Sequence, residues 1–303
     1  MSHAAILLFI LVAEAALGYP RRWPHPVMAA GAMIAAVQRR WNHGPATRRR
    51  RAGEALLLLL IVVPGGLGAA IEQLAGDGWG VAIVALVGTT GLAQRSLHDH
   101  VAAVAAPLSR GDLPRAREAV AMIVGRDTPA LGEAGIATAA VESLAESFCD
   151  GVVAPAFWFL VAGLPGLFVA KAINTADSMV GHRTDELRWF GRAAARADDV
   201  VNWLPARIAG ALICLAGGGG WQTMRRDARR HASPNGGWPE AAMAGVLGRQ
   251  LGGPVRYDGE PAMRALLGSG PPPDADDLVR ALLIYRRACL LLWLWLGIIA
   301  WLR

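Results

Sequence analysis

The chain has 303 residues, 54% of them hydrophobic and 18% charged, with a formal net charge of +6 at pH 7. Soluble domains average about 25% charged residues, and the apolar residues here are grouped in runs, so the composition indicates an integral membrane protein. Disordered, coiled-coil and collagen-like chains are excluded. The 3 cysteines lie far apart in no metal or redox spacing, which excludes a disulfide scaffold. No basic stripe is interleaved with aromatic residues, so nucleic acid is not a predicted partner.

The first part of the chain predicts membrane segments on either side of an arginine-rich loop. Residues 4–18 form an apolar run interrupted by Glu14, which either snorkels to the interface or faces a polar cavity. Residues 55–71 and 79–94 form the second and third runs. The positive-inside rule places the loop between the first two runs in the cytoplasm, because it contains Arg21, Arg22, Arg39, Arg40, Arg48, Arg49, Arg50 and Arg51.

The middle of the chain predicts a broken segment. Residues 95–150 have the pattern of soluble helices, and the fourth apolar run, residues 152–170, is interrupted by Pro155 and by the Gly-Leu-Pro-Gly sequence at 163–166. A fifth run covers residues 204–220. Arginine-rich stretches follow both of these runs, and the positive-inside rule assigns both stretches to the cytoplasm. We therefore predict that the fourth run is a re-entrant hairpin turning at 163–166 and that the fifth run is short or re-entrant as well. Non-helical backbone is tolerated at membrane depth when protein or a water-filled cavity surrounds it.

The predicted fold is an all-α, polytopic membrane protein with about 4–6 membrane-embedded segments, some broken or re-entrant. Residues 1–303 are expected to form one membrane-embedded domain, with 95–150 and 221–287 as cytoplasmic helical or loop insertions. A linker of three prolines at 271–273 precedes a helix that starts near Asp274, and the last apolar run covers residues 288–302.

An acidic stripe precedes the fourth run. Glu142, Glu146 and Asp150 have i, i+4, i+8 spacing and so lie on one face of a helix. Like charges at this spacing repel, so a cation, either Mg²⁺ or an arginine, is expected opposite them. The alternative is a solvated helix face with arginine partners.

A second polar cluster follows the fourth run, at residues 171–183. Its Lys, Asn, Asp and Arg side chains can together hold phosphate oxygens and a metal ion. Lys171 is the only lysine among 30 basic residues, which suggests a chemical need for an ammonium group, with chance as the alternative.

Two further clusters surround the fifth run. Asp198, Asp199 and Asn202 precede it and suggest a metal or ammonium partner, or else an ordinary helix end. The turn at 233–240 opens a helix, and its backbone N–H groups could bind an anion, or it could be only a turn.

Several sequence strings together resemble the CobD/CbiB family of cobalamin biosynthesis. They are RDT at 126–128, VESLAESFCDGVVAP at 141–155, KAINTADSMVGHR at 171–183, DDVVNWLPAR at 198–207 and SPNGG at 233–237, with WPHPV at 23–27 and LGGPV at 251–255. The strings follow family order over almost the whole chain, and they are specific only in combination. Tyr19 and Ser147 depart from the family pattern, which usually has Asp and Asn there.

The resemblance implies a multi-pass enzyme of the bacterial inner membrane with cytoplasmic active-site loops. Such an enzyme joins adenosylcobyric acid to (R)-1-aminopropan-2-ol or its O-phosphate through an amide bond, with ATP and Mg²⁺ as the implied cofactors. The implied partners are these two substrates, the lipid bilayer, other cobalamin-assembly membrane enzymes and a second copy of the chain. The rival functions are a membrane transporter and a corrinoid-handling scaffold without ligase activity.

Roles for the residues follow from the chemistry of amide formation, which needs an activated carboxylate, cations for phosphate and an acid to position the amine. The candidate catalytic residues are Glu142, Glu146, Asp150, Lys171, Asp177, Asp198 and Asp199. Of these, Glu146, Asp150 and Asp177 are the expected Mg²⁺ ligands, Lys171 acts with Arg183 on phosphate, and Asp198 or Asp199 holds the amine. The candidate substrate- and phosphate-binding residues are His25, Arg126, Asp127, Asn174, Ser178, Arg183, Asn202, Arg207, Ser233 and Asn235.

Overall fold

The chain is mainly helical in the computed structural model, which describes residues 1–19, 25–182 and 184–302. The helices are α1 (His3–Leu17), α2 (Pro26–Trp41), α3 (Ala46–Ala75), α4 (Gly80–Thr89), α5 (Gln94–Leu108), α6 (Leu113–Ala121), α7 (Glu133–Phe148), α8 (Ala154–Val180), α9 (Arg192–Val201), α10 (Trp203–Gly217), α11 (Trp221–Asp227), α12 (Gly237–Leu247) and α13 (Ala275–Trp301). A π-helical turn covers Cys149–Val153, a 3-10 turn covers Ala228–Arg230, and two strands, β1 (Gln250–Tyr257) and β2 (Glu260–Gly268), complete the described part.

Four helical stretches are long and apolar enough to cross a membrane: Ala46–Ala75, Gly80–Leu108, Glu133–Val180 and Ala275–Trp301. The pair α9 and α10 passes the same test when taken as one broken span, which makes up to five. α1 is apolar but shorter. The predicted all-α, multi-pass membrane fold with broken segments is therefore confirmed.

Contacts between residues divide the chain into two compact units, each assembled from separate stretches of sequence. The first unit contains Met1–Ala93, Ala154–Asn202 and Leu296–Arg303, and the second contains Gln94–Val153 and Trp203–Trp295. Both stretches that the sequence marks as insertions, 95–150 and 221–287, fall within the second unit.

The core of the first unit lies where α3 and α8 run antiparallel. Gly68 of α3 lies against the backbone of Pro165, and Gly65 lies against Val169. The buried apolar cluster consists of Ile34, Leu56, Leu60, Ala172, Ala176, Val180, Phe190 and Ala194. Glycine at the crossing matters because a Cβ at Gly68 would lie 2.6 Å from the Pro165 nitrogen, so only a bare backbone permits this approach.

α8 is interrupted near its middle. Ala162 (φ −140°, ψ 22°) and Gly163 (φ 61°, ψ −150°) are non-helical, and the Leu164 N–H that the break leaves without a helical acceptor donates to Glu72 Oε1 at 2.7 Å. The break that the sequence predicts at 163–166 is thus present and begins at Ala162. Glu14 of α1 is buried within the same unit.

The second unit contains a β-hairpin that the sequence analysis did not predict. Residues 221–287, expected to be helical or loop, include an antiparallel hairpin in which Tyr257 pairs with Glu260 and a bulge lies between Leu251 and Gly253. Adjacent glycines break the alternating pattern by which a strand is identified, and such bulges bend one strand away from regular pairing.

The entry into α13 agrees with the sequence. The Asp274 N–H donates to Asp277 Oδ2 at 3.1 Å, and the Asp277 N–H donates to Asp274 Oδ1 at 3.0 Å. This reciprocal capping satisfies two of the N–H groups that a helix start leaves unpaired. It explains why the helix begins at Ala275, directly after Asp274.

Candidate functional site

In the second unit, Glu142 of the acidic stripe is buried and paired with arginine. Glu142 is only 1% exposed and accepts hydrogen bonds from Arg126 and, at 2.7 Å, from the Gly252 N–H. Arg264 of β2 lies 3.7 Å from the same carboxylate. A buried carboxylate is stable only when it is paired and hydrogen-bonded. Arginine is therefore the cation opposite Glu142.

Arg264 also reaches two residues that the sequence analysis did not single out. Its Nη2 donates to Glu240 Oε1 at 2.8 Å and lies 3.1 Å from His231 Nε2. Burial lowers the pKa of His231, and the charge of Arg264 lowers it further. Burial raises the pKa of Glu240 above its ordinary value, although the charge of Arg264 opposes this shift. The neutral imidazole can accept a hydrogen bond from the Arg264 guanidinium through Nε2.

Nothing in the local sequence connects Arg264 with Glu142, because 122 residues separate them. One signal was available for the other two residues. His231 and Glu240 lie on either side of the Ser-Pro-Asn-Gly-Gly string, and Glu240 is the last residue of the turn at 233–240.

The turn at 233–237 lies against Glu146. A Cβ at Gly236 would be 3.3 Å from Glu146 Oε1 and 3.0 Å from His231 Cε1, so glycine permits the close approach. The N–H groups of Asn235 and Gly236 both donate to Ser233 Oγ at 3.2 Å. These two N–H groups are therefore used within the turn, and anion binding by the turn at 233–240 stays a prediction.

Arg207 of α10 contacts two indole rings. Its guanidinium carbon is 4.2 Å from the ring centre of Trp203 and 4.6 Å from that of Trp238. Its Nη1 donates to the Trp203 carbonyl and lies 3.4 Å from Asn235 Oδ1. The structure thus brings together two predicted binding residues, Arg207 and Asn235.

Asp127 ties the loop before α7 to the hairpin. Its N–H donates to the Arg256 carbonyl at 2.9 Å, and its Oδ2 accepts from the Gly259 N–H at 2.8 Å. Both bonds link backbone elements, which is a structural use for a residue expected to bind substrate. Asp150 lies in the π-helical turn directly after α7, and such turns often occur at functional sites.

In the first unit, three predicted site residues converge. Asp198 of α9 accepts from Asn202 Nδ2 at 3.0 Å and from Asn174 Nδ2 at 3.4 Å, one bond to each carboxylate oxygen. Asn174 is on α8, three residues before Asp177. The two amides fix the orientation of a buried carboxylate, and each oxygen keeps a lone pair for a further donor.

Lys171 lines an apolar cleft of about 220 Å³ in the same unit, together with side chains that include Met33, Leu67, Phe168 and Thr175. His25 is the N-cap of α2, where its Nδ1 accepts from the Val27 N–H at 3.2 Å. Burial lowers the pKa of His25, and the positive charge of Lys171 lowers it further. Lys171 and His25 are therefore neighbours at one site.

The remaining predicted residues are placed as follows. Ser178 donates to the Asn174 carbonyl at 3.0 Å, within its own helix, and Asp199 follows Asp198 on α9. Arg183 lies outside the described residues. Among the described residues, no three or more His, Cys, Asp or Glu side chains are grouped closely enough to hold a metal ion.

Comparison with known proteins gives one family. The model of the family described as CobD/Cbib protein matches residues 7–285. The chain is 47% identical to the cobalamin biosynthesis protein CobD of Rhodobacter capsulatus over 99% of this chain and 98% of that protein. It is 45% identical to the protein of the same name from Brucella anthropi, over 88% and 87% of the two chains, and 42% identical to that of Geobacter metallireducens, over 95% and 94%. No solved structure matches the chain.

Proposed function

The chain belongs to the CobD/CbiB family, and from that premise we propose that it catalyses ATP-dependent amide formation in cobalamin biosynthesis. The substrates are adenosylcobyric acid and (R)-1-aminopropan-2-ol or its O-phosphate, and the product is adenosylcobinamide or its phosphate. The observation that carries the proposal is the family match over nearly the whole chain, because the candidate site residues named from the sequence all lie on the strings that carry the resemblance.

The reaction has two requirements that a carboxylate and an amine cannot meet alone. The corrinoid carboxylate must be activated, which we propose occurs by transfer of the terminal phosphoryl group of ATP to give an acyl phosphate and ADP. The amine then attacks the acyl carbon, the C–N bond forms, and inorganic phosphate leaves as the nitrogen loses a proton. Cations must offset charge on the phosphates, and a base must accept the proton.

Asp198 suits the role of positioning the amine. Asn174 and Asn202 orient its carboxylate, and a fixed carboxylate can bind an ammonium group by a charge-assisted hydrogen bond. Asp199 is the alternative in this role. We assign Lys171 and Arg183 to the phosphates, since an ammonium and a guanidinium both bind phosphate oxygens.

Glu142 is better assigned as a positioning residue than as a proton acceptor. Arg126, Arg264 and the Gly252 N–H already occupy its carboxylate, so its pairing supports the helix that carries Glu146. We retain Glu146 and Asp150 as the functional acids of this stripe.

Magnesium would be held by Glu146 and Asp150 of the second unit or by Asp177 of the first. The grouping of described residues provides no protein-only cage, but the oxygen donors fit, because Mg²⁺ commonly takes one or two carboxylates together with substrate phosphates. When bound, the ion offsets phosphate charge during activation.

The test uses the full-length protein in lipid nanodiscs with adenosylcobyric acid, aminopropanol O-phosphate and Mg-ATP. We expect a product with the mass of the amide and one ADP per amide. Asp177→Asn should lower turnover by about 100-fold or more, whereas the matched control Asp185→Asn, at a 95% exposed side chain, should leave it unchanged. Corrinoid binding without amide would favour a scaffold, and failure to bind corrinoid would favour a transporter.

A further inference from the structure

The proposed reaction steps do not explain the surroundings of the Arg207 guanidinium. The guanidinium carbon of Arg207 lies over the indole rings of both Trp203 and Trp238, and its Nη1 donates to the Trp203 carbonyl and to Asn235 Oδ1. A guanidinium held in this way loses little side-chain freedom when it binds a ligand, and its remaining N–H groups keep their fork geometry.

The charge around Arg207 is positive. Within the described ranges, no carboxylate forms an ion pair with it, and the neighbouring charge that acts on it is that of Arg229. Arg226 and Arg230, on either side of Arg229, both pair with Asp227 at 2.7 and 3.3 Å, whereas no ion pair links Arg229 to a described residue. Two cations without an acid between them attract an oxyanion.

The surroundings of Arg207 are not closed over by protein. Trp203 is 56% exposed, Arg229 is exposed, and Arg207 and Trp238 are partly exposed. A ligand can therefore bring a charged terminal group to Arg207 without any rearrangement of the core.

An acid lies on the other side of the same turn. Asn235 contacts Arg207, while its neighbour Gly236 lies against the Glu146 carboxylate. A turn of five residues thus separates a guanidinium from a carboxylate. A small zwitterion with a phosphate at one end and an ammonium group at the other matches this order of charges. In this inference Glu146 therefore takes the ammonium-binding role that the proposed function gives to Asp198, and Asp150 and Asp177 remain the candidate Mg²⁺ ligands.

We propose that Arg207, which contacts the rings of Trp203 and Trp238 and is assisted by Arg229, is the subsite for the phosphate monoester of the amino alcohol. This inference rests on the proposed function and names the residues that recognise the phosphate group of the phosphorylated amine. The same phosphate chemistry is present in ATP and in lipid headgroups, so the test separates the three sources.

The experiment measures steady-state kinetics of the full-length protein in nanodiscs, with aminopropanol O-phosphate, aminopropanol and ATP varied in turn. Arg207→Gln should raise the KM for the phosphorylated amine by about tenfold or more, the loss expected for a charge-assisted hydrogen bond. The KM values for aminopropanol and ATP should change by less than about twofold. Arg207→Lys should restore only part of the loss, because an ammonium keeps the charge without the fork.

Arg229→Gln gives a second test at an exposed position where folding is not at risk, with an expected rise of about threefold in the same KM. Arg225→Gln is its matched control, because Arg225 is an exposed arginine of the preceding helix. A rise confined to the KM for ATP would overturn the assignment in favour of the nucleotide. An effect that depends only on the fraction of anionic lipid would overturn it in favour of a headgroup, and unchanged constants would overturn it outright.

A binding measurement distinguishes failure of this inference from failure of the proposed function. Broadening of the ³¹P resonance of aminopropanol O-phosphate by the wild-type protein needs no turnover. If no amide forms but the broadening occurs and Arg207→Gln abolishes it, the subsite stands while the proposed reaction fails. If amide forms and the variant broadens the resonance as the wild type does, the subsite is wrong while the reaction stands.

Discussion

Asp227 shows how one buried carboxylate joins three parts of the second unit. Its side chain is fully buried and accepts from Arg226 at 2.7 Å, from Arg230 at 3.3 Å and from the Gly268 N–H at 2.9 Å. It therefore links the end of α11 to the following 3-10 turn and to the end of β2. Hydrogen bonding from Arg226, supported by the other two donors, lowers the pKa of Asp227 to about 2.

This lowered pKa predicts a pH dependence of stability. A carboxyl whose folded pKa lies below its unfolded value of 3.8 stabilises the fold above pH 4, and that stabilisation is lost as the pH falls toward 2. Asp227→Asn should therefore lower the free energy of unfolding at pH 7 by about 2 kcal/mol or more. The difference from wild type should shrink as the pH falls from 4 to 3.

Thermal unfolding of the two proteins in one detergent at pH 7, 5 and 3 measures this effect. Asp185→Asn is the control, because Asp185 pairs with Arg188 on the surface and exposed pairs contribute little. A difference between wild type and Asp227→Asn that stayed constant from pH 7 to pH 3 would contradict the assigned ionisation.

Residue roles could be predicted from the sequence only where partners are near in the chain. The bond from Asn202 to Asp198 spans one helical turn, and the shared face of these residues follows from their spacing. The pairing of Glu142 with Arg264 does not follow from spacing, because it depends on how the hairpin folds onto α7. Spacing alone allows two cations opposite the acidic stripe, Mg²⁺ or arginine, and tertiary contacts decide in favour of arginine at Glu142.

At the level of elements, the β-hairpin depends on a glycine that the bulge requires. Gly252 has φ +87°, its N–H donates to Glu142, and an added Cβ would meet the Ala265 carbonyl oxygen. Gly253 has a similar φ of +96°, but the nearest atom to its added Cβ is Leu266 Cδ2 at 3.6 Å. Alanine substitutions at the two positions therefore distinguish the cost of backbone strain, which both share, from that of steric collision, which occurs only at Gly252.

We expect Gly253→Ala to destabilise the protein by about 1 kcal/mol from the left-handed backbone alone. Gly252→Ala should cost at least about 2 kcal/mol more, because the strand must also move away from Ala265 and from Glu142. Thermal unfolding of both variants in the same detergent gives the comparison. Equal losses would mean that the contact between β1 and Glu142 contributes nothing.

The hairpin is also the element that the sequence analysis missed, although one local signal was present. Asp258 (φ 51°) and Gly259 (φ 83°) form its two-residue turn, and Asp-Gly is a strong hairpin signal. The flanking strands hide it, since glycine and proline are depleted in strands. The helices were easier to predict because apolar runs, and the Asp274 cap of α13, are local features.

The whole molecule combines long apolar helices with polar clusters that lie near their ends. Only 17% of the most apolar 18-residue stretch of α3 is buried, and Leu58 and Val62 are among the exposed side chains of this helix. In water such a surface would be costly, whereas in a bilayer it contacts lipid. The number of apolar segments could therefore be predicted from the sequence, but the side of the membrane that each loop faces depends on whether the broken α8 segment crosses.

The sidedness of the chain tests the re-entrant prediction for that segment. If the segment enters and leaves on one face, the loop after α8 is cytoplasmic, as its arginines favour. A cysteine replacing Arg188 should then react only with reagent supplied from the cytoplasmic side of membrane vesicles. Arg51→Cys, in the arginine-rich stretch, should behave in the same way, and Asp77→Cys, between α3 and α4, should react only from the opposite side.

The parent protein provides the background, because Cys149, Cys214 and Cys289 are all buried. Reaction of the cysteine at 188 from the same side as that at 77 would show that the segment crosses the membrane fully.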